Sequence, residues 1–70
     1  MNTISKPNRK LKALRVELGY NQTEMSEKTG ISFSSYIRKE NGFTSFTIEE
    51  VKKIKEELHL SDEQTSTIFF

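Results

Sequence analysis

The side chains of this chain that can carry chemistry are few, and their scarcity is informative. Asp62 is the only aspartate, His59 the only histidine, and there is no cysteine. A nucleophilic triad needs an activated hydroxyl or thiol beside a base, and a metal site needs converging imidazole, thiolate or carboxylate ligands; neither set can be assembled here. The three glycines, Gly19, Gly30 and Gly42, are spread along the chain rather than clustered into a phosphate-binding loop. These absences predict a protein that is not an enzyme and takes no metal, cofactor or small-molecule ligand. His59 falls near a helix end, where it reads as a surface residue compatible with the helix dipole.

What remains is hydrogen bonding by short polar and cationic groups concentrated between Asn21 and Ser45. At about 100° per residue, Ser34, Ile37, Arg38 and Asn41 share one face of a helix, with Phe33 at its flank and Tyr36 and Glu40 roughly opposite. Arg38 has the fork geometry for the O6 and N7 atoms of guanine, Ser34 can bond several base edges, and Phe33 or Ile37 can meet a thymine methyl. Phe33, Ser34, Ile37 and Arg38 are therefore the candidate base-reading residues. Wheel geometry equally allows Phe33 and Ile37 to be core residues and Arg38 a solvated charge. Asn21, Gln22, Ser32, Ser35 and Asn41 lie at helix ends, where they can cap backbone, bond phosphate oxygens, or do both.

The elements that must hold these groups follow from apolar spacing and stop signals. Leu11, Leu14 and Leu18 form one stripe of a first helix from Pro7 to Leu18, closed by Gly19. Asn21 caps a short second helix, Gln22 to Thr29, with Glu24 in the capping-box position, Met25 as its main apolar contact and Gly30 as its stop. Ser32 caps a third, Phe33 to Asn41, ended by Gly42. The unit 22–41 is thus two short helices joined by a tight turn, a geometry in which one helix braces on a phosphate backbone while the next enters the groove. Thr47 and Glu50 open a fourth helix over 47–58 with a stripe of Ile48, Val51, Ile54 and Leu58. Ser61 and Gln64 open a fifth over about 62–68. With no strand-like alternation, no repeat and no linker, the expected fold is all-α, a single five-helix domain over residues 1–70.

The formal charge of +1 conceals an asymmetry. Residues 1–42 carry eight Lys or Arg against four acids, a balance of +4, and residues 43–70 three lysines against six acids, a balance of −3. A basic half beside an acidic half suits a protein that turns one face to an anionic polymer, although ordinary solvated helix faces account for it equally well. No apolar run approaches the roughly 18 residues of a membrane span. Polar Asn2 and Thr3 follow Met1 without an apolar stretch, so the expected location is the cytoplasm and no membrane partner is expected.

The run from Leu11 to Ser32, continuing through Arg38-Lys39-Glu40-Asn41-Gly42, resembles the Cro/phage-repressor-like (XRE) helix-turn-helix family over about residues 8–58. The carriers are Gly19 and Gln22 at the entry to the second helix, Gly30-Ile31-Ser32 as the turn, and Glu40-Asn41-Gly42 closing the recognition helix. The resemblance implies a lambda-repressor-like fold that binds double-stranded DNA. By position it puts Gln22 on backbone phosphate and on the recognition helix, Phe33, Ser34 and Arg38 on bases, and Asn41 with Thr44 and Ser45 on phosphate. It also implies a structural pair of Arg15 with Glu40. Ser26 stands where alanine is favoured, Phe33 where polar readers are common, and Lys39 where the family is usually apolar, so Lys39 must bury its stem and keep its ammonium wet. The run Phe46–Glu50 and the ending Ile68-Phe69-Phe70 resemble small prophage regulators. The implied function is a Cro-like or repressor-like regulator that acts as a homodimer on an operator, with Ile68, Phe69 and Phe70 either at the dimer contact or packed on their own helices. The alternative is a protein-interaction module on the same fold, such as an antitoxin or a modulator of another repressor.

Overall fold

A computed structural model describes residues 7–70; of the domain expected over 1–70, residues 1–6 lie outside the described residues. Each helix begins where a short polar side chain can take up a free backbone N–H. Asn8 accepts from Leu11 N and opens α1 (Arg9–Glu17), Asn21 accepts from Glu24 N and opens α2 (Gln22–Thr29), and Ser32 opens α3 (Phe33–Glu40). Thr47 and Ser61 open α4 (Ile48–Glu57) and α5 (Asp62–Phe69). The capping boxes expected at Asn21–Glu24, Thr47–Glu50 and Ser61–Gln64 all form, with both reciprocal bonds made. The first helix starts later than expected. Asn8 supplies an acceptor that Pro7 lacks, so proline sits before the cap rather than in the first turn.

Three helices end in the same way. After α1, Gly19 N–H donates to the Val16 carbonyl and Tyr20 N–H to Arg15; after α3, Gly42 donates to Lys39 and Phe43 to Arg38. After α4 the same pair of bonds runs from His59 to Glu56 and from Leu60 to Lys55, and His59 takes the left-handed backbone (φ 55°) that glycine supplies at the other two. His59 is thus a helix terminator in a strained conformation, a role its residue type does not announce.

The core consists of Leu11, Met25, Ile31, Tyr36, Ile54, Leu58 and Leu60, with Leu14, Tyr20, Phe46, Ile68 and Phe69 packed around it. A chain of edge-to-face rings runs Tyr36–Phe46–Phe69, with centroids 6.1 and 5.4 Å apart, and ties α3 to α5 through the loop before α4. Ile68 and Phe69 therefore pack on their own helices, while Phe70 is 81% exposed. Two expected core positions are not core. Leu18 is the C-cap of α1, where the chain turns away, and Ile48 is the first residue of α4, ahead of the turn that reaches the core; both stay substantially exposed.

Asn8 does more than cap. Its Nδ2 donates to the Ile68 carbonyl at 3.0 Å and its backbone N–H to the Glu40 carbonyl at 2.7 Å, so one residue joins the start of α1 to the ends of α3 and α5. Lys39, in its usually apolar position, has its ammonium 2.6 Å from Glu50, with its side chain largely covered. Lysine is therefore accommodated there by an ion pair that bridges α3 to α4, rather than by an ammonium held out in water.

Candidate nucleic-acid interface

The α2–turn–α3 unit is held from behind by one carboxylate. Glu40, 2% exposed, receives Arg15 Nε at 2.9 Å and the Tyr36 hydroxyl at 2.8 Å on Oε2; Oε1 receives Arg15 Nη2 at 3.1 Å and Gln22 Nε2 at 3.0 Å. Arg15 Nη1 donates further to the Tyr20 carbonyl at 3.0 Å. Arg15 and Glu40 thus meet as a bidentate pair within a network spanning α1, α2, α3 and the α1–α2 turn. Among the described residues no buried side-chain nitrogen or oxygen is left without a partner.

The charges in this network are set by their neighbours. Burial by itself pushes the Glu40 carboxyl up, but the hydrogen bonds from Arg15, Tyr36 and Gln22 outweigh it and hold the group below the usual carboxylate range. The hydrogen bond to Glu40 raises Arg15, and burial raises the Tyr36 phenol well above its ordinary value, so it remains a donor. At Glu50 burial is likewise opposed, chiefly by Lys39, and the outcome lies below the ordinary value. Asp62 is lowered by its bond from Lys55.

With α3 fixed at Tyr36 and Glu40, its other side faces outward. Phe33 is 48% exposed, Ser34 and Arg38 are exposed, and Ile37 is half-buried, so packing claims part of the isoleucine that wheel geometry placed with them. Asn21 is exposed at the α2 cap and Ser32 at the α3 cap; Ser35 is half-buried. Gln22, considered above for a phosphate contact, has its amide nitrogen turned inward to Glu40, which uses one of its two N–H groups and leaves the second as the donor a phosphate would need. Asn41 is half-buried at the C-cap of α3. Thr44 and Ser45 are exposed on the following loop and border a cavity of about 280 Å³ lined also by Ile48, Val51, Phe69 and Phe70.

Two residues on or behind this face escaped sequence reasoning. Phe43 is 61% exposed, and the Arg38 guanidinium lies over its ring, 5.7 Å from the centroid. Tyr36 was legible as a buried residue but not as a donor to Glu40. An i,i+4 spacing of tyrosine and glutamate on the inward face was the available signal.

A helix pair of this form, locked behind and presenting both polar and aromatic side chains in front, can meet a nucleic acid or a protein, and comparison with protein families decides the class. A family model described as helix-turn-helix matches residues 11–64. The chain belongs to the helix-turn-helix family of the XRE type. No curated protein and no solved structure matches it. Membership carries the lambda-repressor-like all-α fold and makes the protein a DNA-binding regulator of a family that is not enzymatic. Within this XRE-type domain α3 is the second helix of the α2–turn–α3 unit. Among the described residues no group of histidine, cysteine or acidic side chains is placed to hold a metal ion, and no helix is long and apolar enough to cross a membrane.

Proposed function

We propose that the protein is a Cro-like or repressor-like regulator, of the kind found in prophages, which occupies an operator as a homodimer and blocks transcription without chemistry. The observation that carries this reading is the outward face of α3, where Arg38, Ser34 and Phe33 project from a helix fixed by the Glu40 network. Preorganised donors on a rigid element are what sequence discrimination requires, because a loose reader gives up its binding energy in ordering. In this reading Arg38 takes guanine, Ser34 a neighbouring base edge, and Phe33 with the outer part of Ile37 a thymine methyl. Asn21, Gln22, Ser32, Ser35, Asn41, Thr44 and Ser45 contact phosphate, assisted by the N–H groups opening α2 and α3. One short helix reads few base pairs, so two copies on half-sites one turn apart supply the affinity. Ile48 and Phe70, 59% and 81% exposed beside one cavity, provide an apolar surface for the second copy.

The test is a salt-dependent titration against sites selected from a random duplex library, with nonspecific duplex as competitor. Binding is expected to survive the competitor and to weaken steeply with salt as counterion release is lost. Arg38→Ala is expected to relax discrimination at one base pair per half-site, and Gln22→Ala to weaken all duplexes alike. Failure to select any sequence would instead favour a protein partner on the same face, where the exposed rings of Phe33 and Phe43 offer apolar contact.

A further inference from the structure

Phe43 has no place in the core, yet its position is tightly determined. Gly42 takes the left-handed backbone (φ 84°) and turns the chain back, so that Phe43 N–H donates to the carbonyl of Arg38 at 2.9 Å. In a helix stop of this kind, the residue after the glycine and the residue three from the helix end commonly place their side chains in contact. Here those residues are Phe43 and Arg38, and the guanidinium rests over the ring at 5.7 Å. The neighbouring phenylalanine of the same loop, Phe46, is packed between Tyr36 and Phe69, whereas Phe43 is 61% exposed. Among the described residues Arg38 forms no ion pair, and its charged end lies against the Phe43 ring.

We propose that Phe43 is a positioning residue for Arg38: a ring, tied by backbone to the arginine's own carbonyl, that holds the guanidinium in the orientation used for base recognition. The inference rests on the reading of α3 as the DNA-contacting helix. The physical need is clear. Arginine has among the largest rotamer entropies of any side chain, and a free arginine surrenders it on forming a two-bond contact with guanine. A ring face attracts the cation, narrows its excursions before DNA arrives, and leaves the edge of the guanidinium plane free to donate. The arrangement also explains why an exposed aromatic stands where a polar loop residue would be better solvated. The ring acts through the arginine and is assigned no base of its own.

The experiment starts from the wild-type protein and the duplex it selects from a random library. Affinity and discrimination at each base pair are measured for Phe43→Ala, Phe43→Leu, Phe43→Tyr, Arg38→Ala and the double variant Phe43→Ala with Arg38→Ala. Thermal melts confirm that each is folded. Phe43→Ala and Phe43→Leu are expected to lose roughly two- to five-fold in preference at the single base pair that Arg38→Ala also relaxes, and Phe43→Tyr, which keeps the ring face, to retain it. In the Arg38→Ala background, Phe43→Ala is expected to have no further effect. An equal loss in that background, or a loss spread over all sequences, would show that the ring touches DNA directly and would overturn the proposal. Unchanged preference in Phe43→Ala would overturn it while leaving the DNA reading intact. A wild-type protein that selects no sequence overturns both together.

Discussion

Replacing Glu40 with glutamine is the sharpest test of how α3 is held. The side chain keeps its size but loses its charge, so Arg15, 7% exposed, remains in the interior without a counterion. Removing one member of a buried ion pair typically costs about 3–5 kcal/mol, and the amide oxygen can still accept one bond, which places the expected loss near about 3 kcal/mol. A domain of this length has a total stability of only about 3.5–10 kcal/mol. At about 4–8 °C for each kcal/mol, the melting temperature should fall by roughly 12–24 °C, read by far-ultraviolet circular dichroism at pH 7. The pH dependence supplies a second handle. Glu40 is held below the ordinary value of 4.5, so its stabilisation is fully present above that pH and is lost as pH falls through its folded-state value. The gap between wild type and Glu40→Gln should therefore narrow in acid, whereas a defect of shape would persist. Adding Arg15→Met to Glu40→Gln removes the stranded charge and should recover part of the loss. A melting temperature within about 2 °C of wild type at neutral pH, or a gap that does not change with pH, would refute this account of the network.

Three further perturbations have definite outcomes. His59→Gly relieves the left-handed strain after α4 and is expected to stabilise by about 0.5–1 kcal/mol in denaturant unfolding, because the two equivalent helix stops already use glycine. Asn8→Ala removes both a helix cap and a bond to the Ile68 carbonyl; unfolding should show a loss of about 1–2 kcal/mol. Ile48→Ser combined with Phe70→Ser alters two exposed side chains, so dilute-solution stability should change by no more than about 0.5 kcal/mol while sedimentation shows weaker self-association. Unchanged sedimentation would rule this surface out as the proposed dimer contact.

Much of this protein is legible in one dimension because its helices announce themselves locally. Capping side chains and glycine stops act within one turn, so the starts of α2 to α5 and the ends of α2 and α3 follow from residue type with little reference to the rest of the chain. The apolar spacing of Val51, Ile54 and Leu58 likewise identifies the buried side of α4, and Tyr36 and Glu40 identify that of α3. Resemblance added the pairing of Arg15 with Glu40, which spacing alone does not imply across 25 residues. What tertiary structure decided are the places where one local pattern has several physical uses. Leu18 and Ile48 fit apolar stripes but fall at helix ends, where the stripe has passed the core, and they are exposed. Ile68 and Phe69 fit either a dimer contact or their own core, and only the position of Phe46 between Tyr36 and Phe69 places them in the latter. Phe43 and His59 draw their roles from a reversal of the chain, in which backbone bonds bring together groups that helical periodicity does not relate. Residue type determines which bonds a segment can make within itself; the packing of segments determines which side chains are left facing outward to meet a partner.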